Sequence, residues 1–122
     1  MKYLVFSIIS IIIITLSCTS SNSADFAASA VCNGATPTYT GEIATILNNS
    51  CATSGCHNAS SASSGINLST YTTASSQFRN NSNNLASIHH ASGVKSMPRG
   101  SAMLSEAIIN KLDCWVKGGT PE

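Results

Sequence analysis

The stretch Cys51-Ala52-Thr53-Ser54-Gly55-Cys56-His57 places two thiols and an imidazole close together in a 122-residue chain that has five cysteines and three histidines. The residues before this stretch predict how it is presented. Ile43, Ile46 and Leu47 recur at the i, i+3, i+4 spacing of one helical face, and Thr40 is a plausible N-cap. We therefore expect a short amphipathic helix that leads directly into the cysteine stretch.

A Cys-His pair that closes a cysteine-containing loop is the ending of a c-type haem attachment site. In such a site each cysteine sulfur bonds to a haem vinyl group, and the adjacent histidine, here His57, coordinates the iron. Four residues separate Cys51 from Cys56, which is wider than the usual spacing, so two other interpretations stay open. One is a Cys51–Cys56 disulfide, and the other is a zinc site that uses His89 or His90.

The C-terminal part of the chain has the clearest helical pattern. Ser105 is a suitable N-cap, and Gly118-Gly119 is a stop signal. Between them, apolar residues at helical spacing form one stripe: Ile108, Ile109, Leu112, Trp115 and Val116. No segment shows the sustained alternation of apolar and polar residues that is typical of a strand, so the predicted fold class is all-α.

The N-terminal segment is expected to direct export. Lys2 precedes an apolar run, Leu4 to Leu16, which is too short for a comfortable transmembrane helix. The run ends close to Cys18, which follows a small residue as in a bacterial lipobox. We interpret residues 1–17 as a lipoprotein-type signal peptide and Cys18 as a lipidated N-terminus that anchors the protein to a membrane. An ordinary secretory signal is the alternative, and either one places the protein outside the cytoplasm, on the periplasmic or cell-envelope side.

The remaining cysteines are interpreted by counting. If Cys18 carries lipid, and Cys51 and Cys56 carry haem, then Cys32 and Cys114 are left to pair in an oxidising compartment. The same pairing also fits a haem-free protein in which Cys51 and Cys56 form a second disulfide. The number of cysteines alone does not decide whether Cys51 and Cys56 carry haem or form a disulfide.

Composition and charge limit the other possibilities. Residues 18–31 are rich in Ser, Ala and Asn and are expected to be a flexible tether, followed by a single domain over residues 32–122. Charged residues make up 9% of the chain, and the formal net charge is +1. A neutral chain without a basic run gives no electrostatic reason to expect nucleic-acid binding.

The order of these features resembles the small single-haem cytochrome c domain and, more closely, the exported lipoprotein-type cytochromes c of some bacteria. The resemblance lies in Cys51 to His57, in Leu68 to Tyr71, and in the Met97-Pro98 loop. It implies a small cytochrome c-like fold in which the N-terminal and C-terminal helices pack around one covalently attached haem c, with long loops.

The resemblance also implies an axial ligand pair. Met97 would be the second iron ligand besides His57, with Met103, His89 and His90 as the alternatives. Because iron with both axial positions filled has no open site, the implied function is one-electron transfer between redox-protein partners, an electron donor and an acceptor, and the protein would not be an enzyme. A five-coordinate haem sensor or peroxidase-like protein, and a disulfide-stabilised exported lipoprotein without haem, are the other interpretations.

Overall fold

The computed structural model describes residues 22–122, which form five α-helices joined by loops and turns and contain no β-strand. The helices are α1 (Ser23–Ser29), α2 (Ala44–Ser50), α3 (Tyr71–Asn80), α4 (Asn84–Ile88) and α5 (Glu106–Lys117). A π-helical turn, Tyr39–Ile43, runs directly into α2, and a 3-10 turn covers Ser63–Gly65. The predicted all-α class is therefore correct for the part of the chain that is described.

Helix α5 forms the centre of the core, as its apolar stripe predicts. Ile109, Leu112 and Trp115 are buried. The Trp115 ring packs edge-on against Phe78 of α3, with 5.6 Å between the ring centroids, and its Nε1–H donates to the Pro121 carbonyl at 2.9 Å. The indole thus satisfies its one donor while burying its whole apolar surface, which is the usual condition for a buried tryptophan.

The helix that leads into the cysteine stretch begins earlier than expected. Thr38, not Thr40, is the N-cap, because its Oγ1 accepts a hydrogen bond from the Gly41 N–H at 3.1 Å. Glycine suits this position because a Cβ there would lie 2.8 Å from the same Oγ1. Ile43 and Leu47 are fully buried, so the chain enters the cysteine stretch from a direction that the core fixes.

The flexible tether expected over residues 18–31 is corrected where the chain is described. Asn22 caps the N-terminus of α1, and the Asp25 carboxylate bonds back to the Asn22 N–H, which completes a capping box. Ala27 is buried in the core, and Phe26 packs against it. This polar segment therefore docks as a helix onto α4 and α5, with one aromatic and one buried alanine as its apolar contacts.

Helix α1 also caps helix α4. The Ser23 hydroxyl oxygen accepts a hydrogen bond from the Leu85 N–H at 2.9 Å, and the Ser23 N–H donates to the Ser82 carbonyl at 2.7 Å. Asn83, at the N-cap position of α4, makes no side-chain cap bond. Ser23 therefore supplies from α1 the acceptor that the first turn of α4 needs.

The segment after α1 is tied to α5. Cys32 and Cys114 form a disulfide with an S–S distance of 2.05 Å, which is the pairing expected from the cysteine count. The Lys117 ammonium donates to the carbonyls of Ala28 and Ala30 at 3.1 and 2.8 Å. A covalent bond and two charge-assisted hydrogen bonds thus hold the beginning of the domain along its last helix.

The predicted signal peptide, residues 1–17, and the expected lipid-bearing Cys18 lie outside the described residues. None of the helices in residues 22–122 combines the length and the apolar character needed to span a bilayer.

Candidate functional site

A small cavity collects residues from several parts of the chain. Its volume is about 130 Å³. Its wall is formed by Cys51, His57, Ile66, Leu68, Phe78, Asn81, Asn83, Asn84, Ser87, Ile88 and Met97. Three of the four residues expected to hold a haem, Cys51, His57 and Met97, therefore face one space.

Backbone hydrogen bonds fix His57 within its loop. Its Nδ1 lies 3.2 Å from the Ser63 carbonyl, its N–H donates to the Cys51 carbonyl at 3.0 Å, and its own carbonyl accepts from the Leu68 N–H at 2.8 Å. Because a carbonyl oxygen can only accept, Nδ1 must carry the proton, and in the neutral ring Nε2 keeps its lone pair. The loop thus selects the tautomer in which Nε2 is free to bind a metal.

The two thiols of the stretch differ in environment. Cys51 lines the cavity and is partly buried, and this burial, together with the charge of the Cys56 thiolate, raises the pKa of Cys51 to about 11. Cys56 is exposed and does not line the cavity. Both thiols are unpaired, in contrast to Cys32 and Cys114. The structure therefore brings one of the two attachment cysteines into the cavity wall and leaves the other on the surface loop.

Of the two candidate methionines, the structure brings Met97 to the cavity. The Met97 N–H donates to the Ser87 carbonyl at 3.0 Å, and the Met97 carbonyl accepts from His90 Nε2–H at 3.1 Å. Met103 does not line the cavity, and its exposed fraction is 51%. The position of Met97 is thus set by contacts to Ser87 in α4 and to His90 just after it.

His89 lies away from the cavity. Its Nε2 is 2.8 Å from a carboxylate oxygen of Asp113, and its ring stacks on Phe26 with 4.0 Å between the centroids. Burial raises the pKa of the Asp113 carboxyl, and the hydrogen bond and charge of His89 oppose that rise. His89 is therefore part of the contact between α1, α4 and α5, and it is not placed as an iron ligand.

Several residues of the site were not singled out in the sequence. The Asn81, Asn83 and Asn84 side chains line the cavity, although the sequence around them indicates only a polar break. The Ser63 carbonyl that orients His57 is a backbone group in a loop of small residues, and no side-chain pattern marks it. Tyr71 does not line the cavity, and its hydroxyl donates to the Thr120 carbonyl at 3.1 Å.

The donor set of the cavity suits a c-type haem. Cys51 offers a thiol, His57 an imidazole with a free Nε2, and Met97 a thioether, and apolar side chains form much of the remaining wall. A volume of about 130 Å³ is, however, small beside the roughly 300–1,000 Å³ of pockets that enclose small molecules. Binding a haem would require the wall to open. Seven of its eleven residues lie outside the helices: Cys51, His57, Ile66, Leu68, Asn81, Asn83 and Met97.

A zinc site receives less support from the geometry. Structural zinc is bound by about four Cys, His or carboxylate ligands. Within residues 22–122, no group of three or more such side chains is placed to hold a metal ion.

Comparison with protein-family models found no match to this chain, and neither curated proteins nor solved structures gave one. The chemical interpretation of the cavity therefore rests on the chain's own residues and their geometry.

Proposed function

We propose that this protein is a one-electron carrier that holds a single c-type haem between His57 and Met97, with thioether bonds to Cys51 and Cys56. The observation that carries the proposal is the cavity that brings Met97 together with Cys51 and His57, although Met97 lies 40 residues after His57 in the sequence. A chance grouping of a thiol, an imidazole and a thioether is a less economical explanation than one ligand that uses all three.

The role of His57 follows from its hydrogen bonds. The Ser63 carbonyl holds the proton on Nδ1, so Nε2 is the nitrogen that would bind iron. When the ring nitrogen that does not bind the metal donates a hydrogen bond, here Nδ1–H, the imidazole becomes a better electron-pair donor to the metal. The neutral His57 ring therefore needs no change of tautomer to act as a ligand.

The two cysteines would attach the cofactor covalently. In each attachment the sulfur forms a bond to one vinyl carbon and the thiol hydrogen passes to the other, so no oxidant is consumed. Cys51 in the cavity wall stays protonated at neutral pH, which protects it from oxidation before attachment. Cys56 on the exposed loop would supply the thiol for the second vinyl group.

Met97 would complete the coordination. A bound haem supplies an iron that cycles between Fe(II) and Fe(III). A thioether stabilises the ferrous form and raises the reduction potential relative to a second imidazole. Met97 in the wall of the cavity favours six-coordinate iron over the open-site sensor or peroxidase-like alternative. The chain's own contribution is thus ligand choice and exclusion of other reactants.

Export and membrane anchoring complete the proposal. Residues 1–17 would direct the chain out of the cytoplasm, and a lipid on Cys18 would hold it on a membrane at the periplasmic or cell-envelope side. Its partners would be redox proteins that give and accept one electron. The near-neutral net charge means that strong electrostatic steering is not expected to drive these encounters.

Expression in a host with haem-ligation machinery tests the proposal. The expected result is a protein whose intact mass includes one haem and whose reduced spectrum has a sharp α-band. Cys51→Ala should leave a single thioether bond, and His57→Ala should abolish the normal low-spin spectrum. Met97→Ala should remove the methionine–iron charge-transfer band at the red end of the ferric spectrum, whereas Met103→Ala should keep it.

Each alternative function corresponds to a different outcome. A chain that is exported and folded but carries no haem would contradict the proposal and favour the disulfide-stabilised lipoprotein, especially if Cys51 and Cys56 were found joined. A haem-loaded chain with a high-spin ferric spectrum and no methionine band would favour the five-coordinate sensor or peroxidase-like protein.

A further inference from the structure

We propose that His90 is a positioning residue that holds Met97 in place for the iron. This inference rests on the proposed function, because it concerns how the second axial ligand is presented. No sequence pattern assigns this role to His90, which the sequence offered only as an alternative ligand.

The backbone of Met97 is held at both of its peptide groups. Its N–H donates to the Ser87 carbonyl at 3.0 Å, and its carbonyl accepts from the His90 imidazole at 3.1 Å. Ser87 belongs to α4 and itself lines the cavity, and His90 follows α4 directly. Met97 is therefore tied to the helix that forms the neighbouring part of the cavity wall.

The hydrogen bond to Met97 fixes which ring nitrogen of His90 carries the proton. The Met97 carbonyl can only accept, so Nε2 of His90 must carry the proton and cannot be the lone-pair donor to a metal. A hydrogen bond from Nε2–H and a metal bond at the same nitrogen exclude each other. Nδ1 keeps its lone pair in this tautomer, but His90 does not line the cavity, so the geometry assigns His90 to support of the ligand and not to ligation.

The backbone of His90 is in a conformation that a side chain normally avoids. Its φ is 51°, in the left-handed region that non-glycine residues rarely adopt. Two hydrogen bonds keep it there: the His90 N–H to the Ser87 carbonyl at 3.2 Å and the Ala91 N–H to the Ala86 carbonyl at 2.9 Å. This turn carries the imidazole from the end of α4 to the Met97 carbonyl.

The hold on Met97 matters because a thioether is a weak, neutral ligand. Residues 91–104 contain no helix, so without fixed contacts the ligand loop would have to be ordered each time the iron–sulfur bond forms. A hydrogen bond of this kind contributes a net 0.5–1.5 kcal/mol or so to the arrangement that it stabilises. Its loss should therefore weaken Met97 against a competing ligand without affecting covalent haem attachment.

Titration of the haem-loaded protein with imidazole tests this inference. Imidazole displaces methionine from the iron and bleaches the methionine–iron band. In His90→Ala, half-displacement should need about 2- to 12-fold less imidazole than in the parent, which is the fold-change equivalent to one lost hydrogen bond. In His90→Gln, whose amide N–H can donate to the same carbonyl, at least half of this change should be recovered.

His89→Gln is the matched control, because the adjacent histidine bonds to Asp113 and not to Met97. It should leave the imidazole titration unchanged, even where urea unfolding reports a loss of stability. Equal sensitivity to imidazole in the parent and in His90→Ala, or equal effects of His89→Gln and His90→Ala at matched stability, would overturn the role of His90 alone. A parent chain without covalent haem would instead overturn the proposed function, and the role of His90 with it.

Discussion

Two neighbouring histidines at the end of α4 lie in opposite surroundings. His89 stacks on Phe26 and bonds to the buried Asp113, so it belongs to the closely packed side formed by α1 and α5. His90 bonds to the carbonyl of Met97, so it belongs to the cavity side, where loops form much of the wall. A helix of five residues therefore separates two regions of different construction.

The difference lies in what holds each side together. The packed side is stabilised by buried apolar contacts, a disulfide and helix–helix docking, which water cannot replace. On the cavity side, His57 and Met97 are positioned mainly by hydrogen bonds to the backbone carbonyls of Ser63 and Ser87 and from the His90 ring. We infer that the packed side carries most of the free energy of unfolding.

Removal of the disulfide on the packed side should have the largest effect on stability. Cys32 and Cys114 are 82 residues apart, and closure of such a loop stabilises a fold by up to about 4–5 kcal/mol in the chain-entropy model. Replacement of both, as Cys32→Ser with Cys114→Ala, should lower the free energy of unfolding accordingly, as measured by urea denaturation. The methionine–iron band of the folded protein should stay. A loss below about 1 kcal/mol would contradict the assignment of stability to this side.

On the cavity side, the reactivity of Cys51 should contrast with that of Cys56. With its pKa raised to about 11, Cys51 has a thiolate fraction about a hundredfold below that of an ordinary cysteine at neutral pH. Iodoacetamide should therefore modify the exposed Cys56 first in the haem-free chain. The rate at Cys51 should rise about tenfold for each pH unit until the pH approaches 11, because deprotonation supplies the nucleophile. Peptide mapping by mass spectrometry distinguishes the two sites, and equal rates at pH 7 would show that the cavity does not shield Cys51.

Truncation of Phe26 should weaken the docking of α1. The stack of Phe26 on His89 is worth about 0.5–1.5 kcal/mol beyond the area that it buries, so Phe26→Ala should cost about 1–2 kcal/mol of unfolding free energy. Limited proteolysis within residues 22–31 should speed up in parallel. Val31→Ala is the control in the same segment, since the Val31 side chain is 68% exposed and its loss should change little. Equal stability of the two variants would restore the tether interpretation.

The smallest effect concerns the pH dependence at Asp113. Burial raises the pKa of this carboxyl, so the folded protein binds its proton more tightly than the unfolded chain does. Protonated Asp113 therefore stabilises the folded protein below the ordinary aspartate pKa of about 3.9. This stabilisation is lost as the pH rises through the raised pKa that Asp113 has in the folded protein. Asp113→Asn, which cannot titrate, should lack this decrease. Urea midpoints of both proteins, measured from about pH 4 up to the ordinary histidine pKa of about 6.5, provide the comparison, and parallel curves would contradict it.

Much of the helical framework could be predicted from the sequence, because apolar spacing reports burial directly. The stripe through Leu112 and Trp115 predicted α5 within one or two residues of its observed ends. Helix α1 was missed because its composition is that of a linker and its only large apolar residue is Phe26. A signal was nevertheless present, since Asn22 and Asp25 have the spacing of a capping box.

The candidate site was predictable only where side chains carry the chemistry. Cys51, His57 and Met97 were identified from their residue types and their order, and the structure places them around one cavity. The Ser63 carbonyl could not be identified, because every residue has a carbonyl and only the folded loop selects one. The role of His90 was hidden for a similar reason, since its partner is a backbone atom.

In mechanical terms, the hydrogen bonds of Ser23 connect the N-terminal segment to the part of the chain that forms the cavity wall. Tension on the chain before α1 acts first at this residue, and through its two bonds on Ser82 and Leu85. Asn83 and Asn84, which lie between those two partners, form part of the cavity wall. A pull on the N-terminal segment therefore reaches the wall through these two hydrogen bonds, whereas the disulfide connects the chain after α1 directly to Cys114 of α5.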